Sequence, residues 1–374
     1  LQTASLSPFD FQPLGRVIFG AGAIARLGDA SRPLGRRALL VTDPGLNHVG
    51  HPQRAADVLR AAGIDVLVFD GVKENPTEHE VWNGVAVARQ HDIDLIVAVG
   101  GGSAMDCAKG INFLHTNGGR MADYRGHDKA TKPMLPSVGV PTTSGTGSEA
   151  QSYALITDAS SHMKMACGDK KAAFRVCVLD PELTVSQPAG VTAVTGIDAV
   201  AHAVESFVCT KANPFSRMCS RAAWEYLAPN FETVLNEPKN LPARTAMQLG
   251  AHFAGMAIEA AMLGVCHSCA NPLTAHYGLT HGVAIGVMLP HVVRFNAPAA
   301  GDWYAELAGT AERLADRLAQ LASAAGLPKS LREAGVSASI LGLLAHEANQ
   351  QWTARFNPRP VTEDDILGIY QAAW

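Results

Sequence analysis

The residues best suited to chemistry in this sequence are one aspartate and three histidines. TGIDAVAHAVESF at 195–207 sets Asp198 and His202 four positions apart. On a helix such a pair shares one face, and that spacing lets one helix give two ligands to a single metal ion. Downstream, His267 and His281 stand at the two ends of the Pro- and Gly-broken segment HSCANPLTAHYGLTH. Three imidazoles and a carboxylate, with no thiolate, suit Fe(II), Zn(II) or Mn(II) and do not favour a structural Cys-rich zinc site. The chain has 14 histidines, so any one of them taken alone fits an ordinary surface or core position equally well.

A second chemistry is phosphate binding. DLIVAVGGGSAMDCAKGI at 94–111 reads as a buried strand, a glycine triplet and then a helix. Gly100, Gly101 and Gly102 allow close backbone approach. The helix start aims free N–H groups and a positive dipole end at the loop, and Ser103 adds a hydroxyl. A phosphate or pyrophosphate can be held there without a cationic side chain; a plain turn has the same composition. The spacing is not GxGxxG. PTTSGTGSE at 141–149 offers backbone amides and the hydroxyls of Thr142, Thr143 and Thr146 to a ligand, or forms a surface loop. Asp43 ends the strand-like run RALLVTD at 37–43. An acid at a strand end in a nucleotide-binding sheet accepts hydrogen bonds from a ribose hydroxyl and repels a 2′-phosphate. Here it precedes the glycine loop, whereas the usual order places it after.

The elements that must carry these residues fall into two halves. Strand-like runs at 37–43, 64–69, 93–99, 135–141 and 174–179 alternate with helical spacing at 53–62 and 78–91. That alternation predicts a parallel sheet with helices on both faces. After about residue 187 strand runs nearly vanish, and 216–235, 243–265, 301–325, 337–352 and 362–373 read as helices. The expected fold is an α/β N-terminal dinucleotide-binding domain over 1–187 and an all-α C-terminal metal-binding domain over 188–374, hinged at DPELTVSQPAG.

Composition narrows the function classes. The chain has 374 residues, 47% hydrophobic and 17% charged, which excludes disorder. A net charge of −4 leaves no footprint for nucleic acid or an anionic membrane. The apolar stretch AHFAGMAIEAAMLGV at 251–265 carries His252 and Glu259 and reads as one buried helix rather than a span. LQTASLSPFDFQPL lacks the basic and apolar regions of a secretory signal. Seven scattered cysteines, with one CxxC pair at Cys266 and Cys269, fit reduced thiols and a cytoplasmic location.

Taken together, GGGSAMDCAK at 100–109, PTTSGTGSE at 141–149, DPELT at 180–184, TGIDAVAHAVES at 195–206, the Ala254–Pro290 segment ending HGVAIGVMLP, and FNPRPVTEDDI at 356–366 resemble the iron-containing (group III) alcohol dehydrogenase family. The motifs run in the family's order along nearly the whole chain. The resemblance implies NAD held by the GGGSxxD loop through Gly101, Gly102 and Ser103, with Thr142, Thr143 and Thr146 beside it. It implies that Lys164 and Asn75 contact the cofactor, and that Asp43 stands where NAD-preferring members carry an acid. It implies one divalent ion, Fe(II) ahead of Zn(II), on Asp198, His202, His267 and His281. One departure matters: where many members read HxxxH, this chain has His267 and Asn271. Asn271 cannot shuttle protons, but it can hydrogen-bond substrate or a metal-bound water.

The expected reaction is reversible hydride transfer between NAD(H) and a small alcohol or aldehyde, in the cleft between the two domains of a homo-oligomer, by expectation a dimer. A hydroxyacid–oxoacid transhydrogenase is the alternative within the same chemistry. A metal- and NAD-dependent lyase of the dehydroquinate synthase type is the alternative from another class. It needs a basic pocket, and the helical half shows Arg294 and few other cations near 254–290. Maleylacetate-reductase relatives share the phosphate loop but lack the four ligands present here.

Overall fold

The computed structural model describes residues 9–160 and 164–374. They divide into two compact units, Gln12–Gln187 and Pro188–Trp374, the latter together with residues 9–11. Phe11 stacks on Phe215 in the second unit, with ring centroids 3.6 Å apart.

The first unit contains, in order, β1 Arg16–Phe19, α1 Leu27–Ser31, β2 Arg37–Val41, α2 Pro44–Asn47, α3 His51–Ala61, β3 Asp65–Phe69, α4 Glu78–Gln90, β4 Leu95–Gly100, α5 Gly102–Asn117, β5 Gly126–His127, β6 Ser137–Pro141, β7 Tyr153–Thr157, β8 Lys164–Gly168 and β9 Val176–Leu179. Six strands form one sheet in the order β1-β9-β6-β4-β2-β3, every pair parallel. Alternate side chains point to opposite faces. Leu39, Val41, Ile96 and Ala98 therefore pack with Val81, Val85 and Ile111 of α4 and α5. Leu40, Leu95, Val97 and Val99 pack on the other side with Ala55 and Leu59 of α3. Burial on both faces is why β4 is an unbroken apolar run.

A second sheet, β5-β8-β7, is absent from the sequence expectations. Its β7 and β8 pair antiparallel, with Thr157 opposite Lys164. β1 escaped notice too: a four-residue edge strand with an exposed–exposed–buried–exposed pattern gives little signal.

The second unit is all helical: α6 Ala189–Val208, α7 Pro214–Asn236, α8 Leu241–Ala260, α9 Val265–Tyr277, α10 His281–Ala308, α11 Ala311–Ala324, α12 Leu341–Gln350 and α13 Glu363–Ala373. The helix expected over 243–265 ends at Ala260, and α9 leaves at 105° to α8. The helix expected over 301–325 belongs to two helices, divided at Gly309 and Thr310, where the Thr310 side chain caps α11 by accepting from the Arg313 N–H. α10 also begins well before residue 301 and runs through Pro290 and Pro298, because its buried Val287, Leu289, Val292 and Val293 are held by the core.

By length and composition α6 and α10 could each cross a membrane, yet 83% and 61% of their most apolar windows are buried within the protein. Their apolar faces make the helical core with Phe207, Leu227, Phe231 and Met247. All seven cysteines are free and buried, including Cys266 and Cys269.

Candidate functional site

Within the second unit, α6 carries Asp198 and His202 on one face, and both are buried. The sharp bend before α9 places His267 in that helix's first turn. His281 is the first residue of α10. The three imidazole Nε2 atoms converge on one carboxylate oxygen. Asp198 Oδ1 lies 3.4 Å from His202, 3.5 Å from His267 and 3.7 Å from His281. The ligand atoms of Asp198, His267 and His281 all lie within 4.8 Å of one another, and the His202 ring stacks on that of His267 at 4.9 Å. Asp198 Oδ1 and His267 Nε2 are buried without a hydrogen-bond partner.

That arrangement fits a divalent ion. Metal–nitrogen and metal–oxygen bonds of about 2.1 Å give a tetrahedral edge of about 3.4 Å between ligand atoms, close to the three separations seen. Leaving such buried atoms unpartnered is otherwise costly. Burial alone would raise the Asp198 carboxyl, but His202, His267 and His281 hold it well below the usual carboxylate range. Burial likewise opposes charge on His267, yet Glu205 and Asp198 push its imidazole up to about 9. Asn271 sits one turn after His267, half-buried, and its Nδ2 donates to Gln351 Oε1 at 3.2 Å.

Sequence reasoning missed Glu205. It lies on α6 two turns after Asp198, is buried, and bonds His267 Nδ1. The available signal was its spacing: Asp198, His202 and Glu205 share a helix face.

In the first unit the β2–β4 pairing sets Val41 opposite Ala98, which brings Asp43 beside the glycine triplet. A Cβ on Gly100 would lie 3.4 Å from Asp43 Oδ2. The sequence order that looked unusual is thus resolved by adjacent strands. Burial raises the Asp43 carboxyl above its ordinary value, against backbone hydrogen bonds that include the Leu46 N–H. Gly100 has φ +157, and Gly101 caps α5 with no side-chain cap. The helix's first N–H groups thus face the loop.

The PTTSGTGSE loop closes over this turn. A Cβ on Gly101 would stand 3.2 Å from Thr143 Cγ2, and one on Gly102 would stand 2.7 Å from Thr146 Cγ2. Thr142 N donates to Gly100 O at 2.9 Å. Ser103 Oγ accepts from Asn75 N at 3.2 Å, and Asn75 holds a left-handed φ of 51°. Thr157 links this segment to Lys164: its N–H bonds Pro76 O, and it pairs with Lys164 across β7 and β8. The nine residues expected at the cofactor thus fall in one neighbourhood of one unit.

Lys109 and Asp106 were unassigned by sequence. The buried Lys109 Nζ donates to Ser148 O and Tyr153 O, each at 2.7 Å, and Ser148 Oγ donates to Asp106 at 2.6 Å. The pair pins the far end of the hydroxyl loop to α5. Both residues lie inside GGGSAMDCAK, so the signal was present as a motif without a role.

Known proteins match this chain throughout. The family profile described as iron-containing alcohol dehydrogenase matches residues 15–181, and that of the Fe-containing alcohol dehydrogenase family's C-terminal part matches residues 192–374. Alcohol dehydrogenase 4 of Schizosaccharomyces pombe is 37% identical, over 95% of this chain and 87% of its own length. NAD-dependent methanol dehydrogenase of Bacillus methanolicus is 35% identical, over 95% of this chain and 97% of its own. The crystal structure of a 1,3-propanediol oxidoreductase superposes with a TM-score of 0.94 at 36% identity, covering 98% of this chain and all of that one. The motif resemblance, the parallel-sheet and all-helical units, and the imidazole–carboxylate cluster all lead to one assignment: the chain belongs to the iron-containing alcohol dehydrogenase family.

Proposed function

We infer that this chain is a metal-dependent, NAD-linked alcohol dehydrogenase and aldehyde reductase that moves a hydride between NAD(H) and a short-chain alcohol or aldehyde. The observation that carries it is the convergence of three histidine Nε2 atoms on Asp198 Oδ1 within 3.7 Å. The relatives' named activities, on methanol and on 1,3-propanediol, support a small primary alcohol.

Asp198, His202, His267 and His281 hold one divalent ion, with Fe(II) favoured over Zn(II) by the family. When bound, the ion supplies a Lewis acid that lowers the pKa of the alcohol hydroxyl and polarises the carbonyl in the reverse direction. The uncapped start of α5, with Gly101, Gly102 and Ser103, holds the pyrophosphate through backbone N–H groups. Thr142, Thr143 and Thr146 line the same turn. Asp43 accepts from the ribose hydroxyls, and Asn75 and Lys164 contact the cofactor from the β7–β8 side. Asn271 hydrogen-bonds a polar group of the substrate.

The substrate is a small molecule, and no nucleic acid or membrane partner is invoked. The active species is a homodimer. Its support is β1, an edge strand exposing Val17 and Phe19. The location is cytoplasmic, supported by seven thiols that are all free.

The deciding experiment is NADH formation by metal-stripped protein reconstituted anaerobically with Fe(II), and separately with Zn(II), across a panel of short alcohols and diols. Turnover with at least one alcohol in one metal form is expected. Binding of the ion without any alcohol-dependent NADH would overturn the assignment. Light scattering checks the dimer, and a monomeric mass with full activity removes it.

A further inference from the structure

The carboxylate nearest the metal cluster that the ligand set does not use is Glu205. Its two oxygens do different things. Oε1 accepts from the Cys266 N–H at 2.8 Å, one of the otherwise unpaired donors in the first turn of α9. Oε2 bonds Nδ1 of His267. Asn357 Oδ1 accepts the neighbouring Val265 N–H at 3.3 Å, and the Asn357 side chain is itself clasped by Asn296, with Nδ2 donating to Asn296 Oδ1 at 2.7 Å. Gly264 makes room for this: a Cβ there would meet Glu205 Oε1 at 2.9 Å and Asn357 Oδ1 at 3.0 Å. Glu205, Asn296, Asn357 and His267 are all buried.

We propose that Glu205 is a positioning residue for the metal centre, acting through His267, an inference that rests on the metal reading above. A carboxylate only accepts hydrogen bonds, so Nδ1 must carry the imidazole proton and Nε2 presents its lone pair toward Asp198 Oδ1, 3.5 Å away. The same side chain fixes the ring's rotation and the entry of α9, because it grips the backbone one residue before the ligand. It does so from α6, the helix that also bears Asp198 and His202. One carboxylate thereby ties three of the four ligands into a single rigid geometry. It also adds a buried negative charge, so that Asp198 and Glu205 together balance the two charges of a divalent ion. Outer hydrogen-bond partners of metal-bound histidines of this kind typically contribute about 10- to 100-fold to metal affinity.

The test uses the full chain, stripped of metal and titrated with Zn(II) or Co(II) against a competing chelator. Wild type must bind one ion per chain; if it binds none, the metal reading itself falls and Glu205 is not at issue. Given binding, Glu205→Gln keeps an acceptor but loses the charge. Its Kd for the ion is expected to rise by about 10- to 100-fold, with an altered visible spectrum of the Co(II) form. A purely structural cap predicts a lower metal-free Tm with Kd and spectrum unchanged. That result, or a wild-type Kd and spectrum, overturns the proposal. If Glu205→Gln does not fold, the wild-type protein still decides. Histidine-¹⁵N spectra of the Zn(II) form should show His267 protonated at Nδ1 and metal-bound at Nε2. The opposite pattern rejects the proposed role.

Discussion

Asp43 and Gly100 are side by side at the ends of neighbouring parallel strands, with Asp43 Oδ2 3.4 Å from where a Cβ of Gly100 would be. A 2′-phosphate held near this turn would meet the carboxylate directly. NAD should therefore be preferred over NADP in kcat/KM, and Asp43→Gly should narrow the gap by about tenfold or more, the equivalent of about 1.4 kcal/mol of repulsion. Burial raises the Asp43 carboxyl, so the sign of the pH effect is fixed. As pH falls, Asp43 becomes neutral earlier than an ordinary aspartate, and the preference shrinks. The ratio of kcat/KM for the two cofactors, measured from neutral to mildly acidic pH, checks both points. A ratio that widens on acidification removes Asp43 from the discrimination.

Lys109 ties the middle of α5 to the far end of the hydroxyl loop from a buried position, 3.9 Å from Asp106. Lys109→Met removes three donated hydrogen bonds and the ion pair with Asp106. Breaking one side of a buried ion pair costs about 3–5 kcal/mol, enough to lower Tm on the order of 10 °C. The loop bearing Thr142, Thr143 and Thr146 loosens at the same time, so KM for NAD should rise more than kcat falls. Thermal melts and initial rates at varied NAD measure the two effects. A Tm within a degree or two of wild type would mean the network is dispensable.

The parallel sheet was legible because β2, β3 and β4 are apolar runs bounded by helical spacing, and β2 and β4 are buried on both faces. The α6 ligands were legible for the same local reason, a four-residue spacing on one helix. What escaped was set by partners distant in sequence. The break after Ala260 is invisible in AAMLGV, whose apolar periodicity continues across it. It exists because Glu205 and Asn357 fill the space beside Gly264 and take the next two N–H groups. The β7–β8 hairpin was hidden because its pairing residues, Tyr153–Thr157 and Lys164–Gly168, carry mixed polarity and lie near the ligand loops. Proline ordinarily breaks a helix, yet α10 runs through Pro290 and Pro298 because its buried face is held by the core.

Asn271 and Gln351 share one hydrogen bond near the cluster, with Nδ2 of Asn271 as donor. If the amide pair orients substrate, Asn271→Ala lowers kcat/KM about tenfold while metal content stays full, the effect of losing one hydrogen bond of about 1.4 kcal/mol. Gln351→Ala should lose part of the same effect, and the double variant should cost less than the two single losses combined. Rates on one alcohol, with metal measured in each variant, complete the cycle. Strict additivity would show that the two amides act separately. Asn271→His asks a different question: a large gain in rate at neutral pH would mean that proton transfer limits the native enzyme.

Without metal, Glu205 and Asp198 push His267 up to about 9 against its burial, above the roughly 6.5 of an unfolded histidine. The sign follows from linkage. In metal-free protein, protonated His267 contributes stability that is fully present below about pH 6.5 and is lost as pH rises through about 9. Metal binding runs the other way, because Nε2 must be deprotonated to ligate. Between about pH 7 and 8.5, Kd for the ion should tighten close to tenfold per pH unit, with about one proton released, while the Tm of the metal-free form falls. Calorimetry in buffers of different ionisation enthalpy counts the proton, and melts of stripped protein follow the stability. His267→Ala should abolish this proton release. It should also remove the bound ion, lower turnover by orders of magnitude through loss of the Lewis acid, and erase the thermal stabilisation that metal gives wild type. Full metal content with near-normal turnover in that variant would take His267 out of the site altogether.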